Sequence, residues 1–165
     1  MKTDYTTRAK KFVAILDAII EEYGLDDITR GIYEYNYFHK RNIVFSHGLT
    51  RYAFITSDYV IKIDYDPYQI ETFGGCEDEI EIYTQAKKDN MEYHFAEITR
   101  YEYNGTKYYI MPRINGVMKY EEDADYYMDE DELCYILTKG ICDLHNGNYG
   151  WRKGHVCLID YGAHC

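Results

Sequence analysis

At residue 43 the apolar residues of this chain change their spacing, and that change limits the fold more than any other feature. Before it, Phe12, Val13, Leu16, Ile19, Ile20 and Tyr23 recur along one helix face, while Lys10, Lys11, Asp17, Glu21 and Glu22 fall mainly elsewhere. The spacing predicts an amphipathic helix over 6–23, ended by Gly24. Asp26 or Asp27 is placed to cap a short second helix through 28–37, which Gly31 weakens. Beyond residue 43, the segments Ile43–Phe45, Arg51–Thr56 and Tyr59–Ile63 are short and rich in β-branched and aromatic residues. Gly48 separates the first two, and Ser57-Asp58 turns between the second and third. Both periods, each in its own block, predict an α+β fold.

The remaining segments extend this pattern. A helix is expected from about Cys76 to Lys88, with Glu79, Ile82, Tyr83 and Ala86 along one face. Ile98–Tyr103 and Thr106–Met111 flank Asn104-Gly105, the strongest short-range hairpin signal, because both turn residues must accept positive φ. A helix from Asp131 to Lys139 follows, then two short strands, Tyr149–Trp151 and Val156–Ile159, around Arg152-Lys153-Gly154. With 165 residues the chain can bury a core of its own, and one domain is expected.

The formal charge of −11 argues against a nucleic-acid partner, which calls for a basic footprint. Most of that charge is local. Residues 121–132 hold eight acids and no base, so the rest of the chain carries only −3. The stretch reads as a solvated loop or as a docking patch for a basic protein partner or cationic substrate. The most apolar run, Phe12–Ile20, is interrupted by Asp17 and too short to span a bilayer, and no signal peptide is recognisable. Five cysteines (Cys76, Cys134, Cys142, Cys157, Cys165) without a C-x-x-C pair suit a reducing, cytoplasmic compartment with free buried thiols. His155, Cys157, His164 and Cys165 are metal-ligand types that lack zinc spacing.

Candidate chemistry lies in three places. Asp143-Leu144-His145-Asn146-Gly147-Asn148 sets an Asp and an Asn five positions apart in a loop. Twelve residues beyond Asn148, the apolar run Leu158-Ile159 ends in Asp160-Tyr161-Gly162. One carboxylate could take a hydroxyl proton while Asn148 and Asp160 hold Mg²⁺ on triphosphate oxygens, because phosphoryl transfer needs little beyond positioning and charge neutralisation. Upstream, Tyr59-Val60-Ile61-Lys62-Ile63 is an apolar strand with one lysine, costly to bury unless it meets anions. Glu79 is the natural partner; Glu77, Asp78 and Glu81 are close, but only Glu79 shares the face of Ile82, Tyr83 and Ala86. Each feature also has a plainer reading: Lys62 can snorkel to water, Asp143 and Asn148 can cap a turn, and Asp160 can be a strand-end acid.

Taken in order, the strand lysine, the helix glutamate, the Asn-Gly hairpin, the D-x-x-x-x-N loop and D-Y-G resemble the protein-kinase-like superfamily over about 43–162. Asp143-Leu144-His145 is similar to the D-x-H loop of aminoglycoside and choline kinases. The resemblance implies a minimal kinase-like fold: an antiparallel-sheet N-lobe with a helix (43–113), a strongly reduced C-lobe with the catalytic loop (114–165), and an N-terminal helical extension (1–42). It implies ATP and Mg²⁺ as cofactors. Lys62 would bind the α/β-phosphates with Glu79 as its partner, and Asp143 would be the catalytic base. Asn148 and Asp160 would be the metal ligands. Backbone groups near Met111–Arg113 would receive adenine, and a reduced glycine loop, Ser46–Thr50, would present Gly48 to the phosphates. His145 would either stabilise the transferred phosphate or brace the loop. The apolar stripe of the first helix is expected to cap the reduced C-lobe.

Two functions follow as expectations. One is an ATP- and Mg²⁺-dependent phosphotransferase acting on a protein or small-molecule hydroxyl. The other is a pseudokinase-type binding or inhibitor module that engages a partner through its acidic surface.

Overall fold

The computed structural model describes residues 5–34, 37–114, 123–141 and 143–162. The chain forms two compact units interleaved in sequence: Met1–Pro67 with Thr99–Arg113, and Tyr68–Ile98 with Ile114–Cys165.

The first unit is built on one antiparallel sheet of β1 (Val44–His47), β2 (Arg51–Ile55), β3 (Tyr59–Asp64), β4 (Thr99–Tyr103) and β5 (Thr106–Pro112), in the order β1-β2-β3-β5-β4. The expected hairpins are present. Asn104 and Gly105 adopt φ of 47° and 83°, the left-handed pair that a two-residue turn demands. The Thr56 N–H donates to the Tyr59 carbonyl and closes the Ser57-Asp58 turn.

Helix α1 (Tyr5–Tyr23) buries Ala9, Phe12, Val13, Leu16 and Ile19 and packs on β3, β4 and β5. Phe12 meets Phe54 of β2 edge-on, with ring centroids 6.2 Å apart. The stripe therefore covers the sheet of its own unit, and the expectation that it caps the reduced C-lobe does not hold. Tyr59, Ile61 and Ile63 share one face of β3 and meet that helix, which is why the stripe finds its partner here. Each large side chain so buried contributes about 1.5–3 kcal/mol.

Asp17 also departs from expectation: it lies on the buried face, accepting hydrogen bonds from Tyr108 Oη and Asn104 Nδ2, each at 2.8 Å. Helix α2 (Ile28–Glu34) packs on α1 through Gly31, where an added Cβ would stand 2.5 Å from Ile19 Cγ2. The glycine that weakened the helix in sequence is what permits this approach. The short α3 (Tyr37–Lys40) adds Phe38 to the core.

Helix α4 (Pro67–Phe73), which periodicity did not reveal, follows β3. Its signal is Pro67 at the first helical position, where a missing N–H costs nothing. In the second unit, α5 (Cys76–Asp89) buries Cys76, Glu79, Ile82 and Ala86 and ends at Asn90, with φ of 59°. Helix α6 (Glu130–Thr138) starts with a reciprocal cap: the Glu132 N–H donates to Asp129 Oδ1 at 2.8 Å, and the Asp129 N–H donates to Glu132 Oε2 at 3.1 Å. Strands β6 (Tyr149–Arg152) and β7 (His155–Leu158) form a hairpin whose turn residues Lys153 and Gly154 have φ of 53° and 85°. Phe95 bridges Leu158 in parallel, and the Ala96 N–H donates to the Leu158 carbonyl at 2.8 Å.

Cys76 and Cys157 are buried and in no disulfide, whereas Cys134 is exposed, contrary to expectation, because it lies on the outer side of α6. Cys142, His164 and Cys165 lie outside the described residues. Among the described residues, no helix is long and apolar enough to cross a membrane.

Candidate functional site

The second unit gathers the C-terminal motifs at the open end of the β6–β7 hairpin. The Asn148 carbonyl accepts the N–H of Ile159 at 2.7 Å and of Asp160 at 3.3 Å, extending the ladder beyond Tyr149 and Leu158. The Asn148 side chain reaches the other way, Nδ2 donating to the Asp143 carbonyl at 3.0 Å. One buried asparagine thus ties Asp143 to Asp160. With Nδ2 committed, Oδ1 is the end of that amide able to serve a cation.

His145 is held by the same loop. The Gly147 N–H donates to His145 Nδ1 at 3.0 Å, so the ring proton sits on Nε2, which lies 3.5 Å from Asp143 Oδ1. Both side chains are exposed. An added Cβ at Gly147 would stand 2.7 Å from His145 Cε1, so the close approach of the imidazole requires glycine there. The sequence showed Gly147 only as a turn residue, and its role as a platform for His145 carried no signal.

Of the four neighbouring acids on α5, Glu79 alone is fully buried, while Asp78 accepts the Gly75 N–H at 2.6 Å. Glu79 Oε1 accepts the N–H of Tyr161, the middle residue of Asp160-Tyr161-Gly162, at 3.1 Å. Tyr161 is itself fully buried; its hydroxyl donates to the Ala96 carbonyl at 2.6 Å, and its ring meets Phe95 edge-on. Burial holds that phenol far above its ordinary range, so it stays a donor. This clamp on the D-Y-G segment was not legible in the sequence.

In the first unit, Lys62 lies on the central strand, 4% exposed, opposite Ala53 on β2 and Tyr109 on β5. Alternation sets it on the face away from Ile61, Ile63 and α1. Met111 is buried on β5 opposite Val60. The Arg113 N–H donates to the Asp58 carbonyl at 3.0 Å and Nη1 donates to the Thr56 carbonyl at 2.7 Å. Arg8 pairs with the Asp58 carboxylate, so three elements converge on the β2–β3 turn. The Arg113 amide is therefore engaged within its own unit.

Gly48 is exposed, and its N–H and carbonyl serve Arg51 and the Tyr65 hydroxyl. A Cβ there would meet open space. Its backbone is engaged in the β1–β2 connection.

The donor set suits a hard cation. Asn148 and Asp160 are oxygen-bearing residues that could hold such an ion, and Mg²⁺ typically takes one or two carboxylates with substrate phosphates and water. No group of three or more His, Cys, Asp or Glu side chains among the described residues forms a self-sufficient metal cage. Of the acidic stretch, Glu121 and Glu122 lie outside the described residues, and Asp129–Glu132 form the capped, dipole-favoured first turn of α6. No protein-family model matches the chain, and no curated protein matches it.

Proposed function

We propose that the protein is an ATP- and Mg²⁺-dependent phosphotransferase of minimal kinase-like form, acting on a hydroxyl acceptor. The observation that carries the reading is Asn148, whose amide side chain binds the Asp143 carbonyl and whose own carbonyl binds the Asp160 N–H. That linkage joins the residues to which phosphoryl transfer assigns a base and two metal ligands.

In this reading Asp143 accepts the proton of the acceptor hydroxyl as its oxygen bonds to the γ-phosphorus. The bond from that phosphorus to the β–γ bridging oxygen breaks, and ADP carries the electron pair away. Asn148 and Asp160 would hold Mg²⁺, which offsets phosphate charge when bound. His145, with its proton on Nε2, orients the Asp143 carboxylate.

Transfer of ³²P from ATP, to the protein itself and to added protein and small-molecule hydroxyl acceptors, tests the proposal. Wild type is expected to label an acceptor, and Asp160→Ala and Asp143→Asn to lose at least 100-fold in rate. Equal labelling of wild type and Asp160→Ala would sink the assignment.

A further inference from the structure

The turn end of the β6–β7 hairpin borders a cavity that the phosphotransferase reading does not use. It has a volume of about 560 Å³, within the range of small-molecule sites, and is lined by Tyr83, Glu92, Tyr93, Arg152, Lys153 and His155. Tyr83 comes from α5, Glu92 and Tyr93 from the short helical turn after it, and the three basic residues from the hairpin. Arg152, Lys153 and His155 cluster on a chain that is strongly acidic overall.

Each group has a chemical use. Tyr93 is 38% exposed, and its ring is held between those of His94, at 4.0 Å, and His155, at 5.1 Å. An aromatic face with cations beside it suits a planar base carrying phosphate: the ring stacks the base, and Arg and Lys take the phosphate oxygens. Charge selects the number of phosphates. Arg152 and Lys153 bring two positive charges, enough for one phosphate monoester at about −1.5 to −2, while Glu92 on the lining and Glu132 and Asp129 acting on Tyr93 oppose the further charge of a triphosphate. Glu92 is also an acceptor for a ribose hydroxyl or an exocyclic amine, groups that a bare aryl phosphate lacks.

We propose that this cavity binds a nucleoside monophosphate. The site is distinct from the phosphotransfer residues, because Arg152 and Asn148 stand at opposite ends of β6, about 13 Å apart along an extended strand. Hairpin β6–β7 carries both, with the cavity at its turn and Asn148 beside its open end.

Isothermal titration calorimetry of the full chain with AMP, in EDTA, tests the assignment. The expected result is saturable binding at one site, with adenosine, inorganic phosphate and phenyl phosphate each at least tenfold weaker. Tyr93→Ala and Lys153→Asn are each expected to weaken AMP at least tenfold, while Asp160→Ala stays within twofold of wild type. Asn tolerates the left-handed backbone at position 153, so that variant reads charge and not folding. If Tyr93→Ala does not fold, Lys153→Asn decides alone. Absence of saturable AMP binding overturns the proposal. So does AMP affinity that is lost in Asp160→Ala and kept in Lys153→Asn. Phenyl phosphate binding as tightly as AMP overturns the nucleoside assignment.

Discussion

Glu79 and Tyr161 meet across 82 positions of sequence, the carboxylate of one accepting the backbone N–H of the other at 3.1 Å with both residues fully buried. A buried amide that loses its acceptor costs about 1–3 kcal/mol. Glu79→Leu is therefore expected to lower the unfolding free energy by that much, read as a lower urea midpoint at constant slope. Glu79→Gln, which keeps an acceptor oxygen, should lose less than about 1 kcal/mol. Equal losses would show that the charge of Glu79, not its hydrogen bond to Tyr161, is what the fold uses.

Asp17 takes two donors inside the first unit, and Tyr108 is the more buried of them. Burial, then the hydrogen bond to Asp17, pushes the Tyr108 phenol far up, so it donates at every accessible pH. Hydrogen bonds to charged groups contribute about 1.5–3 kcal/mol. Tyr108→Phe should destabilise the protein by that amount in chemical denaturation; a loss under about 0.5 kcal/mol would contradict the pairing.

Gly147→Ala separates local order from global stability. The new methyl displaces the exposed His145 ring, so the unfolding free energy should change by less than about 1 kcal/mol. The Gly147 N–H to Nδ1 bond is lost with it. Nitrogen-15 shifts of His145 should report one tautomer, protonated on Nε2, in the wild type and a mixture in the variant. Phosphotransfer, in the proposed reading, should fall about tenfold or more. An unchanged tautomer signature would contradict the geometry.

His94 gives the fold an acid limit. It is 1% exposed, and among the described residues neither ring nitrogen makes a well-formed hydrogen bond. Burial depresses its pKa from 6.5, outweighing Glu132, whose Oε1 lies 3.5 Å from Nε2, and the Val156 backbone; His155 adds to the depression and Asp129 opposes it. The unfolded chain takes up this proton first, so the stability that neutral His94 contributes is complete above about pH 6.5 and falls as pH drops toward the depressed folded value. The slope approaches about 1.4 kcal/mol per pH unit. Denaturation between pH 7 and 5.5 should show this loss in the wild type and a flatter profile in His94→Leu. Parallel profiles would exclude His94 as the titrating group.

Much of the architecture was legible because its signals are local. Period two, period 3.6 and Asn104-Gly105 each act within a few residues, and the strands and main helices formed within one or two positions of their expected bounds. What escaped depends on partners far away in sequence. Asp17 reads as a surface acid until Asn104 and Tyr108 meet it, and the α1 stripe shows no destination until β3, β4 and β5 assemble. At the candidate site, the residue types in Asp143–Asn148 and Asp160 announced themselves. The hydrogen bonds that tie them through Asn148, and the Glu79–Tyr161 clamp, are tertiary facts with no local pattern.

The interleaving of the two units has a consequence for the order of assembly. Strand β3 gains its second neighbour only when Val60 pairs with Met111, about fifty residues later, so a ribosome must release the whole 68–98 excursion before the sheet can close. Closing so long a loop carries an entropic barrier that local hairpins avoid. The three-stranded meander β1–β2–β3 waits with an open edge until then. Neither unit is a contiguous segment: a cut at residue 67 severs the first and a cut at 98 severs both, so the protein must ripen as a whole.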